Sequence, residues 1–284
     1  MDISIIIPSF NGKQLLEQSL PLLSHVLASK ISCEVIVVDN GSKDPTLPKG
    51  FDGASNSTNQ YIKLDKNYGF TRAVNEGVRR AKGAYILILN DDCFVEKDTI
   101  QKLYSYLKKS KKLIATQPII QTPKGAVENI GYVVDLTKGK AKIVTNKGSL
   151  PAGRQASTHA QNDNMWKAGN VYGLSATCLM IRKDVFESIG MLDESFHSYL
   201  EDVDLFIRLA TKGYKYAPCL EVSARHLHMG TSKNMGVYKQ QHDLLNWINI
   251  IMKNYPRSFI LRHGFSLAVE RLRNLSGLIK AYLS

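Results

Sequence analysis

The sequence predicts an α/β protein, a mostly parallel β-sheet flanked by helices with a C-terminal helical extension. Three observations carry that prediction. Short β-branched runs alternate with amphipathic segments over the first 120 residues, and such alternation builds a parallel sheet covered on both faces. The residues that directly follow each apolar run are small, polar or acidic, and in such sheets ligands bind beyond the carboxyl ends of the strands. The longest apolar runs are strand-length, far short of the roughly 18–20 residues that a membrane-spanning helix requires.

The elements follow in order. A strand over residues 3–7 ends in Pro8-Ser9-Phe10-Asn11-Gly12 and leads to a helix over 13–28. A second strand, 34–38, ends in Asp39-Asn40-Gly41-Ser42, and a third, 61–64, ends in Asp65-Lys66-Asn67-Tyr68-Gly69-Phe70. A helix over 71–81 precedes the strand 85–89, which ends in Asn90-Asp91-Asp92; a helix near 97–108 and a strand over 113–117 follow. From 122 to 166 Gly, Lys, Thr, Ser and Asn are frequent and periodicity is lost, which predicts a mobile or substrate-facing segment. Order returns with a strand over 175–181, a helix over 182–189, a helix over 201–212 and a strand over 214–224. Two helices close the chain, 238–253 and 257–282, with Pro256 placed to start the second.

Composition narrows the function classes. The net charge of +12 calls for an anionic partner, yet no zinc-finger or RNA-recognition signature is present, so nucleic acid is not expected. Cys33, Cys93, Cys178 and Cys219 are scattered without CxxC spacing, which reads as buried free thiols in a reducing cytoplasm. The N-terminal residues run straight into a strand, with neither a basic region nor a small-residue cleavage site, so no secretion leader is expected. A dinucleotide-binding oxidoreductase would need GxGxxG after the first strand, and a Walker-type phosphotransferase GxxxxGK[ST]; neither occurs. A nucleotidyltransferase of related fold and a relative that binds sugar or a protein partner without turnover stay open as alternatives.

Three clusters carry chemistry. Asp91 and Asp92 stand at a strand end, where they either cap the next helix or hold a hard cation such as Mg²⁺ or Mn²⁺. Glu201, Asp202 and Asp204 open a helix, where they either answer the helix dipole or, through Asp202 on the leucine-bearing face, offer a general base. On that helix Asp204 and Arg208 are one turn apart and can pair. His226 and His228 alternate after a strand, so that either could face a metal, though no zinc spacing is present.

In this order and spacing the motifs resemble the family 2 glycosyltransferases, including rhamnosyl- and galactofuranosyl-transferring members. The resemblance spans about residues 3–232 and rests on Ile5-Ile6-Ile7-Pro8-Ser9-Phe10-Asn11, Val37-Val38-Asp39-Asn40-Gly41-Ser42, Asn67-Tyr68-Gly69-Phe70, Leu89-Asn90-Asp91-Asp92, and Gly190-Met191-Leu192-Asp193-Glu194 followed by Tyr199 to Leu205. It implies a Rossmann-like GT-A fold, with a catalytic domain over 1–233, its nucleotide-binding half 1–120 and acceptor-binding half 121–233, and a helical extension over 234–284. It further implies inverting transfer of a sugar from a UDP- or dTDP-linked donor to a glycan or lipid-linked acceptor, in surface polysaccharide assembly, with Mn²⁺ or Mg²⁺ as cofactor. By similarity Pro8, Ser9, Phe10 and Asn11 line the base pocket, Asp39 accepts from the base imide, and Asn67, Gly69 and Phe70 lie along the nucleotide. Asp91 reaches the ribose or the metal, Asp92 binds the metal, and His226 or His228 completes its shell. Asp202 is the implied base, with Glu201 the close alternative. Where the family often has an acid, this chain has Asn90, which thins the acidic cluster. The basic amphipathic segment 257–284 is expected either to lie on an anionic membrane surface, giving a cytoplasmic protein at the inner face of the cell membrane, or to pack on the catalytic domain or a second copy.

Overall fold

A computed structural model of the chain describes residues 1–27, 29–43, 59–146, 164–227 and 236–283. The first half runs β1 (Ile3–Ser9), α1 (Lys13–Ser19), a 3-10 turn (Leu20–Leu23), α2 (Ser24–Leu27), β2 (Cys33–Asp39) and β3 (Gln60–Lys63). It continues through α3 (Phe70–Arg80), β4 (Tyr85–Leu89), β5 (Cys93–Val95), α4 (Thr99–Lys109), β6 (Leu113–Thr116) and β7 (Pro118–Gln121). Then come β8 (Val127–Asn129), β9 (Tyr132–Asp135), β10 (Lys140–Ile143), α5 (Asn164–Ala168), β11 (Asn170–Gly173), β12 (Cys178–Arg182) and α6 (Lys183–Ser188). The chain closes with α7 (Glu201–Thr211), β13 (Lys215–Tyr216), β14 (Cys219–His226), α8 (Gly236–Asn254) and α9 (Arg257–Leu283).

Among the described residues the central sheet has seven strands, in the order β13-β6-β12-β4-β1-β2-β3. All neighbours are parallel except β12, which runs antiparallel to both β4 and β6. Every residue of β1 is buried, as a strand with helices on both faces demands. The expected α/β class, mostly parallel with a C-terminal helical extension, is the fold observed. Two smaller sheets, β5-β14-β7-β8 and β10-β9-β11, extend it.

Several expectations need correction. The helix expected over 13–28 is broken, because Pro21 lacks an N–H and sits at the start of the 3-10 turn that separates α1 from α2. The described part of 122–166 is ordered: β8, β9 and β10 are strands of only 3–4 residues, too short to show a period. The strand expected over 175–181 starts at Cys178, and 176–177 form a turn instead. The strand expected over 214–224 divides at Pro218 into β13 and β14.

One face of the C-terminal helices joins the core. Trp247, Ile250, Tyr255, Phe259 and Leu267 are buried with it, and the Trp166 ring packs edge-on at 5.0 Å from both Tyr255 and Phe259. All four cysteines are free, three buried and Cys33 half-buried. Among the described residues no helix is long and apolar enough to cross a membrane.

Candidate active site

The carboxyl ends of β1, β2 and β4 open onto a cleft of about 610 Å³. The parallel register of β1 on β2 sets Ser9 beside Asp39, and the Asn40 N–H donates to the Ser9 carbonyl at 2.8 Å. The buried Asn40 side chain then organises the next strand end. Its Nδ2 donates to Asn67 Oδ1 (2.9 Å) and the Gly69 carbonyl (3.1 Å), and its Oδ1 accepts from the Tyr68 N–H (2.9 Å). Gly69 itself has φ +89° and lies so close to His197 that a Cβ would fall 2.3 Å from the His197 carbonyl oxygen.

Asp91 and Asp92 follow β4. Asp91 Oδ2 accepts from Ser9 Oγ at 2.6 Å, and burial, with the neighbouring Asp92 charge adding to it, pushes the Asp91 carboxyl up to about 7. Gly12 leaves room for that carboxyl, since a Cβ there would stand 2.1 Å from Asp91 Oδ2. β14 pairs antiparallel with β5 so that His226 faces Cys93, which brings His226 Nε2 to 3.2 Å from Asp92 Oδ1. His226 Nδ1 meets Glu128 Oε1 at 3.1 Å. Burial alone would lower the imidazole, but the Asp92 and Glu128 hydrogen bonds and charges outweigh it and raise His226 above its usual value. Among the described residues no three His, Cys, Asp or Glu side chains form a metal cage by themselves. Adjacent carboxylates with an imidazole do suit a cation that takes one or two protein ligands and fills its shell from phosphate oxygens.

The opposite wall is the loop before α7. Tyr199 and Leu200 both adopt left-handed backbone, φ 66° and 64°, a conformation that disfavours residues bearing a Cβ. Asn246 of α8 holds them: its Nδ2 donates to the Ser198 carbonyl (2.8 Å) and the Tyr199 carbonyl (2.7 Å). Asn249 and Lys253 reach Ser195 and Asp193 from the same helix. The loop delivers Glu201 and Asp202 into the cleft at the start of α7. Asp202 accepts from the Val203 amide (2.8 Å) and the Ala176 amide (3.4 Å); burial raises its carboxyl, and these amides oppose the rise. Burial, then the Asp202 charge, raises Glu201, whose Oε2 is buried with no hydrogen-bond partner among the described residues. Asp204 is turned away, clasped by Arg208 at 2.7 Å and by Asn254 at 2.8 Å.

Pro8, Ser9, Phe10, Asn11, Asn67, Gly69, Phe70, Asp91, Asp92, Glu201, Asp202 and His226 therefore line one cleft. Asp39 lies behind its wall, with Oδ2 accepting from the Tyr61 hydroxyl (2.7 Å) and Oδ1 from the Ser42 amide (2.9 Å). His228 and the Gly230-Thr231-Ser232 segment lie outside the described residues. The cleft also contains residues that sequence reasoning passed over. His197, Tyr199 and Tyr238 line it, with the Tyr238 hydroxyl 2.7 Å from His197 Nδ1, and Glu128 stands behind His226. Tyr199 had a signal, its place beside the acidic run; Glu128 sits in the aperiodic stretch and had none.

Comparison with known proteins agrees with this geometry. A family model described as "Glycosyl transferase family 2" matches residues 4–190. The low-salt glycan biosynthesis hexosyltransferase Agl10 of Haloferax volcanii is 26% identical over 229 residues, 79% of this chain and 67% of that protein. The N-acetylglucosaminyl-diphospho-decaprenol L-rhamnosyltransferase of Mycobacterium tuberculosis is 26% identical over 221 residues, 73% of this chain and 71% of its own length. Among solved structures, the mannosyltransferase PcManGT of Pyrobaculum calidifontis, in complex with GDP-Man and Mn²⁺, superposes with a TM-score of 0.62 at 15% identity, covering 99% of this chain and 73% of that one.

Proposed function

Because the chain belongs to glycosyl transferase family 2, and so is a glycosyltransferase of GT-A fold, we propose that it moves a sugar from a UDP- or dTDP-linked donor to a hydroxyl of a glycan or lipid-linked acceptor with inversion at the anomeric carbon. The observation that carries this reading is the meeting, in one cleft, of the Asp91–Asp92 pair on the strand-end wall and the Glu201–Asp202 pair on the facing loop. Pro8, Ser9, Phe10 and Asn11 take the base, Asn67, Gly69 and Phe70 flank the nucleotide, and Asp39, expected from the resemblance to accept from the base imide, instead braces the floor from behind through Tyr61 and Ser42. Asp92, Asp91 and His226, with His228 as the alternative imidazole, would hold Mn²⁺ or Mg²⁺. A cation held there would supply positive charge to the departing diphosphate.

Asp202 takes the proton of the acceptor hydroxyl as that oxygen attacks the face of the anomeric carbon opposite the diphosphate, so that a single displacement inverts the centre. The Val203 and Ala176 amides support Asp202 over Glu201 as the base, since they favour its ionised form, while burial and the Asp202 charge make Glu201 keep its proton longer. The relative named for a diphospho-decaprenol substrate supports a lipid-linked acceptor in surface polysaccharide or glycoconjugate assembly, at the inner face of the cell membrane.

The test is binding and hydrolysis of UDP-, dTDP- and GDP-sugars with Mn²⁺, Mg²⁺ or EDTA. Asp92→Ala is expected to lose metal-dependent donor binding, and Asp202→Asn to bind donor while turnover falls by about 10²–10⁴-fold. Wild-type activity is expected to rise with pH through the raised Asp202 value, because the base acts ionised. If no nucleotide sugar binds under any metal condition, the enzyme reading gives way to a binding-only relative.

A further inference from the structure

Among the described residues, α9 carries an anomalous surface. Phe259, Leu267 and Glu270 are buried against the rest of the chain, Ser266 Oγ donates to the Thr137 carbonyl and Arg271 to the Gly139 carbonyl, so this helix already has its packing face. On the remaining surface Leu261, Phe265, Leu272, Leu275, Ile279 and Tyr282 are exposed, Leu261 by 85% and Phe265 by 86%. Their spacing alternates between four, seven and three residues, which keeps them in one stripe along a helix, here over about 30 Å. Folded proteins rarely leave so long a row of large apolar side chains in water without an occupant.

Charge selects the occupant. Arg257, Arg262, Arg273 and Lys280 are exposed on the same helix. Glu270, its one acid, is buried and already paired with Lys140 at 2.9 Å and Arg273 at 2.7 Å. A second copy of the chain would bring these cations against themselves, in a molecule of net charge +12. An anionic lipid surface neutralises them while its acyl boundary takes the leucines and Phe265. We propose that α9 lies in the interface of an anionic membrane, with the Leu261–Phe265–Leu272 stripe inserted and Arg257, Arg262 and Lys280 at headgroup level. α9 packs on α8, and α8 through Asn246 holds the loop that carries Asp202, so the element that meets lipid also braces the acceptor wall. That last consequence rests on the reading of the cleft given above; lipid binding does not.

The test is co-sedimentation of the full chain with vesicles of phosphatidylcholine mixed with phosphatidylglycerol, and of phosphatidylcholine alone, alongside light scattering without lipid. The wild type is expected to bind the mixed vesicles and to favour them at least about tenfold over the neutral ones. A Leu261→Ser/Phe265→Ser/Leu272→Ser variant and an Arg262→Glu/Lys280→Glu variant are each expected to lose about tenfold or more in vesicle affinity, while donor hydrolysis without lipid stays at the wild-type level. The changed side chains are exposed, so folding is retained, which circular dichroism checks. Equal binding to both vesicles, or none, overturns the proposal, as does a dimer broken by the serine variant in a protein that ignores lipid. Vesicle binding by a wild type that uses no donor would leave this inference standing and sink the glycosyl-transfer chemistry alone.

Discussion

The two walls of the cleft are built by different means. The strand-end wall takes its shape from backbone pairing: β1 and β2 run in register from Ile3↔Cys33 to Ser9↔Asp39, and Asn40 carries that register on to Asn67 and Gly69. The loop wall has no ladder beneath it. Tyr199 and Leu200 stand in left-handed backbone because the amide of Asn246, 47–48 residues further along the chain, holds the carbonyls of Ser198 and Tyr199. One wall is fixed by secondary structure and the other by a few long-range side-chain hydrogen bonds, so a single substitution can slacken the second without disturbing the first. α3 stitches the two together, through the Phe70 amide on the His197 carbonyl (2.7 Å) and Asn75 on the Leu192 carbonyl (2.8 Å).

The comparison breaks most readily at Asn246. Asn246→Ala leaves two carbonyls without their donor and lets the strained loop relax, and turnover at saturating donor is expected to fall by about tenfold or more, since small misplacement of a catalytic group is costly. Donor affinity, measured by calorimetry, should stay within about twofold of wild type on the same argument. Equal losses in both would show that the walls are not independent. Asn40→Ala probes the other wall with a smaller effect on rate. It strands the Tyr68 amide and leaves the Gly69 carbonyl with the Ala73 N–H (3.3 Å) in place of two donors, at a cost of about 1–3 kcal/mol in urea denaturation, and donor affinity weakens while turnover at saturation is largely kept. The smallest effect lies at the opposite end of the strands. Hydrogen bonds from the Tyr104 hydroxyl and then Ser32 hold the Asp2 carboxyl down from 3.8 to about 2. A depressed carboxylate stabilises the fold above its unfolded value, and this contribution is lost as pH falls toward the folded one. The difference in stability between wild type and Asp2→Asn should therefore shrink between about pH 4 and pH 2 with no change in donor binding, as followed by thermal melting.

The same division explains what the sequence disclosed. β1, β2 and β4 are apolar runs whose ends carry the polar groups, so both the strands and the residues of their wall were readable from local pattern. Asp202 was readable too, since the acids gather at a helix start. Glu128 and Tyr238 were not, because each enters the cleft region through tertiary packing, one from a strand of three residues and the other from a helix assigned to the extension. Pro21 was in plain view, but helical periodicity on both sides concealed the break it makes. His226 was singled out, yet its register against Cys93, which sets it beside Asp92, depends on a β5–β14 pairing across more than a hundred residues.

The antiparallel strand β12 also bears on the order in which the molecule can assemble. It fills the gap between β4 and β6, so residues 178–182 bridge two strands that were synthesised by residue 116. Until that segment leaves the ribosome, β4 (Tyr85–Leu89) and β6 (Leu113–Thr116) each present an apolar edge with no partner, an invitation to intermolecular pairing. The long sequence separation adds loop-closure entropy to the closing step. The nascent N-terminal half is thus the stage at which a chaperone has most to protect, and chain termination before residue 182 would yield a sticky fragment rather than a smaller enzyme.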